Sequence, residues 1–321
     1  MLKNVLIFSG TMPPDLLARL QSKFAVTVAP LLADRPAFLH AAKTAHGLIG
    51  SFVTIGPEEL ADTPALEVIS TISAGVDNYD VPYLTSRRIL LTNTPGALTQ
   101  TTADTAFLLI MAAARRAVEL AEYIKEGQWT AGLPPAMYGT DIHGKTLGIV
   151  GLGRIGAAIA RRGHHGFGMK ILYASRTPKP AVAAGFSAQH VPLDDLLSQS
   201  DFVCVAVPLS PGTHHLFGTR QFSLMKPSAI FINIARGAVV DEPALIAALT
   251  AGQIHAAGLD VFETEPLPLS SPLLKMKNVV ALPHIGSATH QTRRAMVEAA
   301  VDNLEQALDG HRPADCVNGN W

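Results

Sequence analysis

Three side chains of complementary chemistry follow apolar runs that read as strands. Arg236 stands in Asn233-Ile234-Ala235-Arg236-Gly237, Glu265 in the stretch from Gly258 to Pro266, and His284 in Ala281-Leu282-Pro283-His284-Ile285-Gly286-Ser287. In an open α/β sheet, ligands bind beyond the carboxyl ends of the strands. A guanidinium can hold a carboxylate and the adjacent carbonyl oxygen with parallel donors. An imidazolium can give a proton to a forming alkoxide, and a carboxylate beside it orients the ring and favours its charged form. Such a set suits reduction of a 2-oxo acid, with activity falling as pH rises through the imidazole's titration. Taken singly, each residue has an ordinary alternative: a surface ion-pair Arg, a loop carboxylate, a turn histidine.

Such a reduction needs a hydride donor, and the chain holds a place for one. Gly151-Leu152-Gly153-Arg154-Ile155-Gly156 follows the strand-like Leu147–Val150 and opens a helical stretch. In that setting Gly151 makes the turn, Gly153 lets backbone approach a pyrophosphate, and Gly156 lets the helix pack closely. The helix N-terminus then offers N–H groups to the phosphates. NAD use normally calls for an acid about 20 residues further on. Here Ile142 to Leu193 contains no Asp or Glu, and Ser175-Arg176-Thr177 occupies the expected place. A hydroxyl and a forked guanidinium suit a 2′-phosphate. The expectation is NADPH in preference to NADH, with NADH still possible.

These groups need a scaffold, which the alternation of elements supplies. Val5–Phe8, Ala25–Ala29, His46–Gly50, Val68–Ile72 and Ile89–Thr92 read as strands, with helices at Pro13–Lys23 and Pro57–Thr63. One long helix is expected over Thr99–Glu126, stopped by Gly127. A second set of strands follows, at Thr146–Val150, Lys170–Ala174, Phe202–Val207, Ala229–Ile234, His255–Leu259 and Val279–Ala281, and the last helix spans Ser287 to about Leu308. The alternation predicts an α/β protein of two Rossmann-like domains with parallel sheets. A dinucleotide-binding domain, 99–289, is inserted in a flavodoxin-like substrate domain, 1–98 plus 290–321.

Composition sets the remaining bounds. Hydrophobic residues make up 48% and charged ones 16%, enough for a sizeable core and too apolar for wholesale disorder. With 25 Lys+Arg against 26 Asp+Glu and no run of like charge, nothing favours nucleic acid or an anionic membrane. The longest uncharged apolar stretch, Thr105 to Ala114, is about half a membrane span. Two cysteines and no leader-like start suggest a reducing, cytoplasmic setting. The His164-His165 and His214-His215 pairs lack metal-ligand spacing, so no metal is expected. Asp77 and Asp80 read as turn and helix-cap residues.

The glycine motif, Asn233 to Asp241, Gly258 through Pro266, and Pro283 to Ser287 together resemble the D-isomer-specific 2-hydroxyacid dehydrogenases along essentially the whole chain. Ser70 to Asn78, Tyr138 to Asp141 and Ser287 to His290 place the resemblance in the branch that reduces glyoxylate, hydroxypyruvate and 2-ketogluconate. The resemblance implies that Arg236, Glu265 and His284 are catalytic. It puts Ala74, Gly75 and Val76 on the substrate carboxylate and Ser287 beside the substrate. It puts Arg154 and Ile155 on the pyrophosphate, Val207, Pro208 and Thr213 on the adenosine side, and Ile234, Ala235 and Asp260 toward the nicotinamide. It further implies a homodimer paired through the cofactor domains, in which Trp129 and Tyr138 are interface aromatics or reach toward the neighbouring subunit's site. Many relatives carry an acid where Ser175 stands, and the related formate dehydrogenases carry Gln where Glu265 stands. Two other readings share these residues: a phosphite dehydrogenase, and a dinucleotide-sensing corepressor-like binding module, which would carry additional partner-binding regions.

Overall fold

The computed structural model describes residues 2–9 and 12–319; Met1, Gly10, Thr11, Asn320 and Trp321 lie outside them. The chain divides into two compact units, Met1–Leu98 with Thr289–Trp321, and Thr99–Ala288.

The first unit is a five-stranded parallel sheet of β1 (Asn4–Ile7), β2 (Ala25–Val28), β3 (Gly47–Gly50), β4 (Val68–Thr71) and β5 (Leu90–Thr92), ordered β2-β1-β3-β4-β5. Helices α1 (Pro14–Gln21), α2 (Arg35–Ala42) and α3 (Val81–Ser86) cover it. All residues of β3 and β4 are buried, as expected of parallel strands covered on both faces. The carboxylates of Asp34 and Asp80 accept from Ala37 N and Tyr83 N, so α2 and α3 are capped by acids with a Pro in the first turn.

The second unit is a seven-stranded parallel sheet. Its strands are β6 (Thr146–Val150), β7 (Lys170–Ala174), β8 (Gln189–His190), β9 (Phe202–Val205), β10 (Ile230–Asn233), β11 (Ala256–Leu259) and β12 (Val279–Ala281), ordered β12-β11-β10-β9-β6-β7-β8. The order reverses between β6 and β9, which makes the crevice at their carboxyl ends the ligand position of a doubly wound sheet. The helices are α4 (Thr99–Ala114), α5 (Ala117–Lys125), α6 (Arg154–Phe167), α7 (Pro180–Ala183), α8 (Leu193–Gln199), α9 (Thr219–Leu224) and α10 (Glu242–Thr250). Helix α11 (His290–Leu308) belongs to the first unit, where Ser70 Oγ donates to Ala300 O. Cys204 is fully buried in β9, and burial pushes its thiol up to about 12.

Three expected elements differ. Residues 57–62 form turns rather than a helix. Pro64 follows at once and has no N–H to offer Leu60 O, which accepts from Thr63 Oγ1 instead. The long helix breaks into α4 and α5 at Arg116, whose φ is +53°. There the returning chain takes over: Thr140 N donates to Ala114 O at 2.8 Å, and a Cβ on Gly139 would lie 2.4 Å from that same oxygen. The last helix begins at His290 instead of Ser287, with Thr289 Oγ1 capping Thr292 N.

Candidate active site

Three loops of the second unit carry the reactive groups, and backbone contacts register them against one another. Arg236 lies three residues past β10 in an extended conformation, half-buried, with Nη1 donating to Ala235 O at 2.8 Å. The next residue must be glycine. A Cβ on Gly237 would fall 1.8 Å from the carbonyl carbon of Phe262, so the two main chains lie in direct contact. Phe262 N–H in turn donates to Glu265 Oε1 at 3.0 Å. The other carboxylate oxygen, Oε2, lies 2.7 Å from His284 Nδ1, and each side chain is about a third exposed (35% and 36%). A carboxylate only accepts, so Nδ1 is the protonated nitrogen.

The electrostatics agree with this geometry. Burial alone would raise the Glu265 carboxyl, but the His284 bond, the Phe262 N–H and the charges of His284 and Arg236 outweigh it and hold Glu265 below its usual value. Glu265 and His284 also line an apolar cavity of about 410 Å³ with Phe262, Leu267, Leu274 and Leu282.

His284 itself adopts a left-handed φ of +52°, uncommon for a residue with a Cβ. Asp260, 1% exposed, holds that shape by accepting from Ile285 N at 2.7 Å and Gly286 N at 2.8 Å. Burial raises the Asp260 carboxyl above its ordinary value despite those two bonds. Thr102 Oγ1 donates to Gly286 O and fixes the other side of the loop, next to Ser287.

At the switch point, Gly151 has φ +102°, and a Cβ there would meet Ala206 O at 2.6 Å. A Cβ on Gly156 would lie 2.1 Å from Gly151 O, so α6 packs directly on the turn. A Cβ on Gly153 would meet nothing within 4 Å, so backbone there faces open space at the start of α6. Around that space lies a cavity of about 720 Å³, within the range of small-molecule sites. Gly151, Gly153, Ser175, Arg176, Thr177, Val207, Pro208 and Thr213 line it, so a dinucleotide fits the residues present. Arg154, Ile155, Gly156, Ile234, Ala235 and Asp260 are not on its wall. Ser175 Oγ donates to Thr177 O at 2.7 Å and closes the turn that displays Arg176. Sequence reading missed Lys179 and His190, which line the same wall. Lys179 is a visible cation four residues after Ser175, whereas His190 sits on a two-residue strand too short to show a period.

In the first unit, Ala74, Gly75 and Val76 follow β4. The carbonyls of Ala74 and Gly75 are occupied, accepting from Asn93 Nδ2 and Ser73 Oγ. Elsewhere, His215 Nε2 pairs with Glu263 and its ring stacks on His214, while His165 Nε2 contacts Gly185 O. Among the described residues, no helix is long and apolar enough to cross a membrane.

Residues 107–286 match the family model for the NAD binding domain of D-isomer specific 2-hydroxyacid dehydrogenases. The chain is 54% identical over 321 residues to the glyoxylate/hydroxypyruvate reductase B of Escherichia coli (strain K12), covering 99% of this chain and 98% of that protein. The structure is similar to the TT0316 protein of Thermus thermophilus, with a TM-score of 0.90 at 41% identity, covering 98% of this chain and 99% of that one. It is also similar to an NADPH-dependent glyoxylate/hydroxypyruvate reductase of Sinorhizobium meliloti solved with NADP and malonate, with a TM-score of 0.88 at 34% identity, covering 99% and 97%.

Proposed function

Because the chain belongs to the D-isomer-specific 2-hydroxyacid dehydrogenases and is an NAD(P)-dependent oxidoreductase, we propose that it reduces glyoxylate and hydroxypyruvate with NADPH, and 2-keto-D-gluconate as a further 2-oxo acid. The observation that carries this reading is the registered set of Arg236, Glu265 and His284. A bound reduced nicotinamide supplies the hydride to the keto carbon. Arg236 holds the substrate carboxylate and polarises the carbonyl oxygen. His284, with Nδ1–H committed to Glu265, passes the proton on Nε2 to the developing alkoxide, giving the D-2-hydroxy acid. Ser287 borders the substrate. On the same reading, the Gly151–Gly156 turn carries the pyrophosphate at the start of α6, Val207, Pro208 and Thr213 flank the adenosine from the cavity wall, and Ile234, Ala235 and Asp260, off that wall, stand toward the nicotinamide.

The test is a steady-state panel of glyoxylate, hydroxypyruvate, 2-keto-D-gluconate and phosphite with both cofactors. Turnover of 2-oxo acids supports the assignment; phosphite oxidation without it overturns the assignment in favour of a phosphite dehydrogenase. Binding of dinucleotide with no turnover at all favours a sensing module.

Cofactor choice follows from Arg176, in the acid-free stretch Ile142 to Leu193. Arg176→Ala is expected to weaken NADPH about tenfold or more, the loss of a charged hydrogen bond to phosphate, and NADH by no more than about twofold. Equal losses, read by fluorescence titration, refute the 2′-phosphate assignment.

We also propose a homodimer through α4 and α5. Leu108, Met111, Val118 and Ile124 are exposed on these helices, an apolar patch of the kind that marks an interface. Light scattering is expected to give twice the chain mass, and Met111→Glu with Val118→Glu to give the single-chain mass. A wild-type monomer removes this assignment.

A further inference from the structure

The acid-free end of β7 holds more than Arg176. His190, on the edge strand β8, pairs in register with Tyr173. Its Nε2 lies 3.2 Å from Ser175 O, the main-chain oxygen at the very position where an NAD-selective protein places its acid. A carbonyl only accepts, so Nε2 carries hydrogen and Nδ1 takes up any further proton. The His190 ring packs on Tyr173 at 5.0 Å, and the Tyr173 hydroxyl accepts from Lys179 N at 2.9 Å. Tyr173 thus braces both the imidazole and the turn bearing Arg176 and Lys179, and all three basic side chains line the cavity of the glycine loop.

We propose that His190 is a specificity-determining residue whose protonated ring joins Arg176 in holding the 2′-phosphate, so that selectivity for the phosphorylated dinucleotide strengthens as pH falls. The inference rests on the NADPH reading above. Histidine changes charge between about pH 5 and 8. Cations beside His190 oppose its protonation when no ligand is bound, so the 2′-phosphate itself supplies the charge that favours the imidazolium. Tyr173 of β7 packs on the ring, and Arg176 and Lys179 of the turn line the same cavity. The nearest acids along the chain, Asp194 and Asp195, open α8, and Asp194 is committed to Arg220 at 2.5 Å. No carboxylate stands in the loop to compete for the imidazolium.

His190→Gln keeps a hydrogen-bond donor and removes the charge. Calorimetric titration with NADP⁺ and NAD⁺, at pH 6 and pH 8, reads the effect without turnover. The 2′-phosphate itself gains a proton near pH 6, so the informative quantity is the ratio of variant to wild-type Kd at each pH, in which the ligand's own titration cancels. For NADP⁺ that ratio is expected near 1 at pH 8 and about three- to fivefold at pH 6, the size of one partly exposed charge pair. For NAD⁺ it stays flat. For His190→Lys, charged at both pH values, the same ratio for NADP⁺ is expected below 1 at pH 8 and near 1 at pH 6. A ratio for NADP⁺ that is the same at both pH values, in a protein that still prefers NADP⁺, overturns the role of His190 and leaves the cofactor assignment standing. A wild type that binds NAD⁺ and NADP⁺ equally at both pH values overturns the cofactor assignment itself.

Discussion

Replacing His284 by Gln is expected to lower kcat for 2-oxo acid reduction by about 10²–10⁴-fold, the range for a positioned proton donor, while dinucleotide affinity stays nearly unchanged. Gln preserves size and a hydrogen bond to Glu265 but has no exchangeable proton of suitable acidity. The pH profile gives the second readout. Reduction uses the protonated ring and oxidation of the hydroxy acid uses the neutral one. The reductive kcat/KM therefore falls as pH rises through the histidine range, and the oxidative one rises. Glu265 is held below its ordinary value, so it stays ionised across that window. Glu265→Gln removes the carboxylate that accepts from Nδ1–H and orients the ring, and is expected to lower kcat with dinucleotide affinity unchanged. Wild-type turnover in His284→Gln takes His284 out of the mechanism.

The second large effect is expected at a residue with no side chain. Gly237→Ala sets a methyl 1.8 Å from the Phe262 carbonyl carbon, and the obstacle is main chain rather than a mobile side-chain tip. Either the Arg236 strand end or the Glu265 loop must retreat. Retreat of that order, roughly an ångström, costs about 100-fold in kcat/KM where reacting groups must align. The overpacking also destabilises by about 1–3 kcal/mol, seen as a lower Tm. Cofactor Kd is expected to hold, because the switch-point cavity lies at β6, β7 and β9. A Gly237→Ala variant with unchanged kcat/KM shows that the spacing of Arg236 and Glu265 does not matter to the reaction.

The fold class was legible because buried parallel strands leave uninterrupted apolar runs such as Phe202–Val205 and Ile230–Asn233, separated by helices of opposite period. What local pattern hid was anything decided at a distance. The break at Arg116 depends on Gly139 and Thr140 returning some twenty residues later to the end of α4. Helices α2 and α3 did carry their acid caps and early prolines, but each is too short for an apolar face to stand out. At the site, residue types suggested a carboxylate beside an imidazole. The left-handed backbone of His284, the two N–H groups held by Asp260, and the contact of Gly237 with Phe262 arise only when β10, β11 and β12 lie side by side.

The discontinuous first unit has a consequence for how the chain is born. Leu304 packs against the space over Gly47, and Ser70 holds a carbonyl of α11, so the first sheet lacks one of its covering layers until roughly the last thirty residues emerge. At elongation rates of about 5–20 residues per second, the segment Thr99–Ala288 takes about 10–40 s to be made. The contiguous unit can complete itself first on the ribosome, while strands β3 and β4 wait with an apolar face uncovered. Until α11 is made, the face of β3 and β4 that Leu304 covers is thus the surface of this unit most open to wrong contacts.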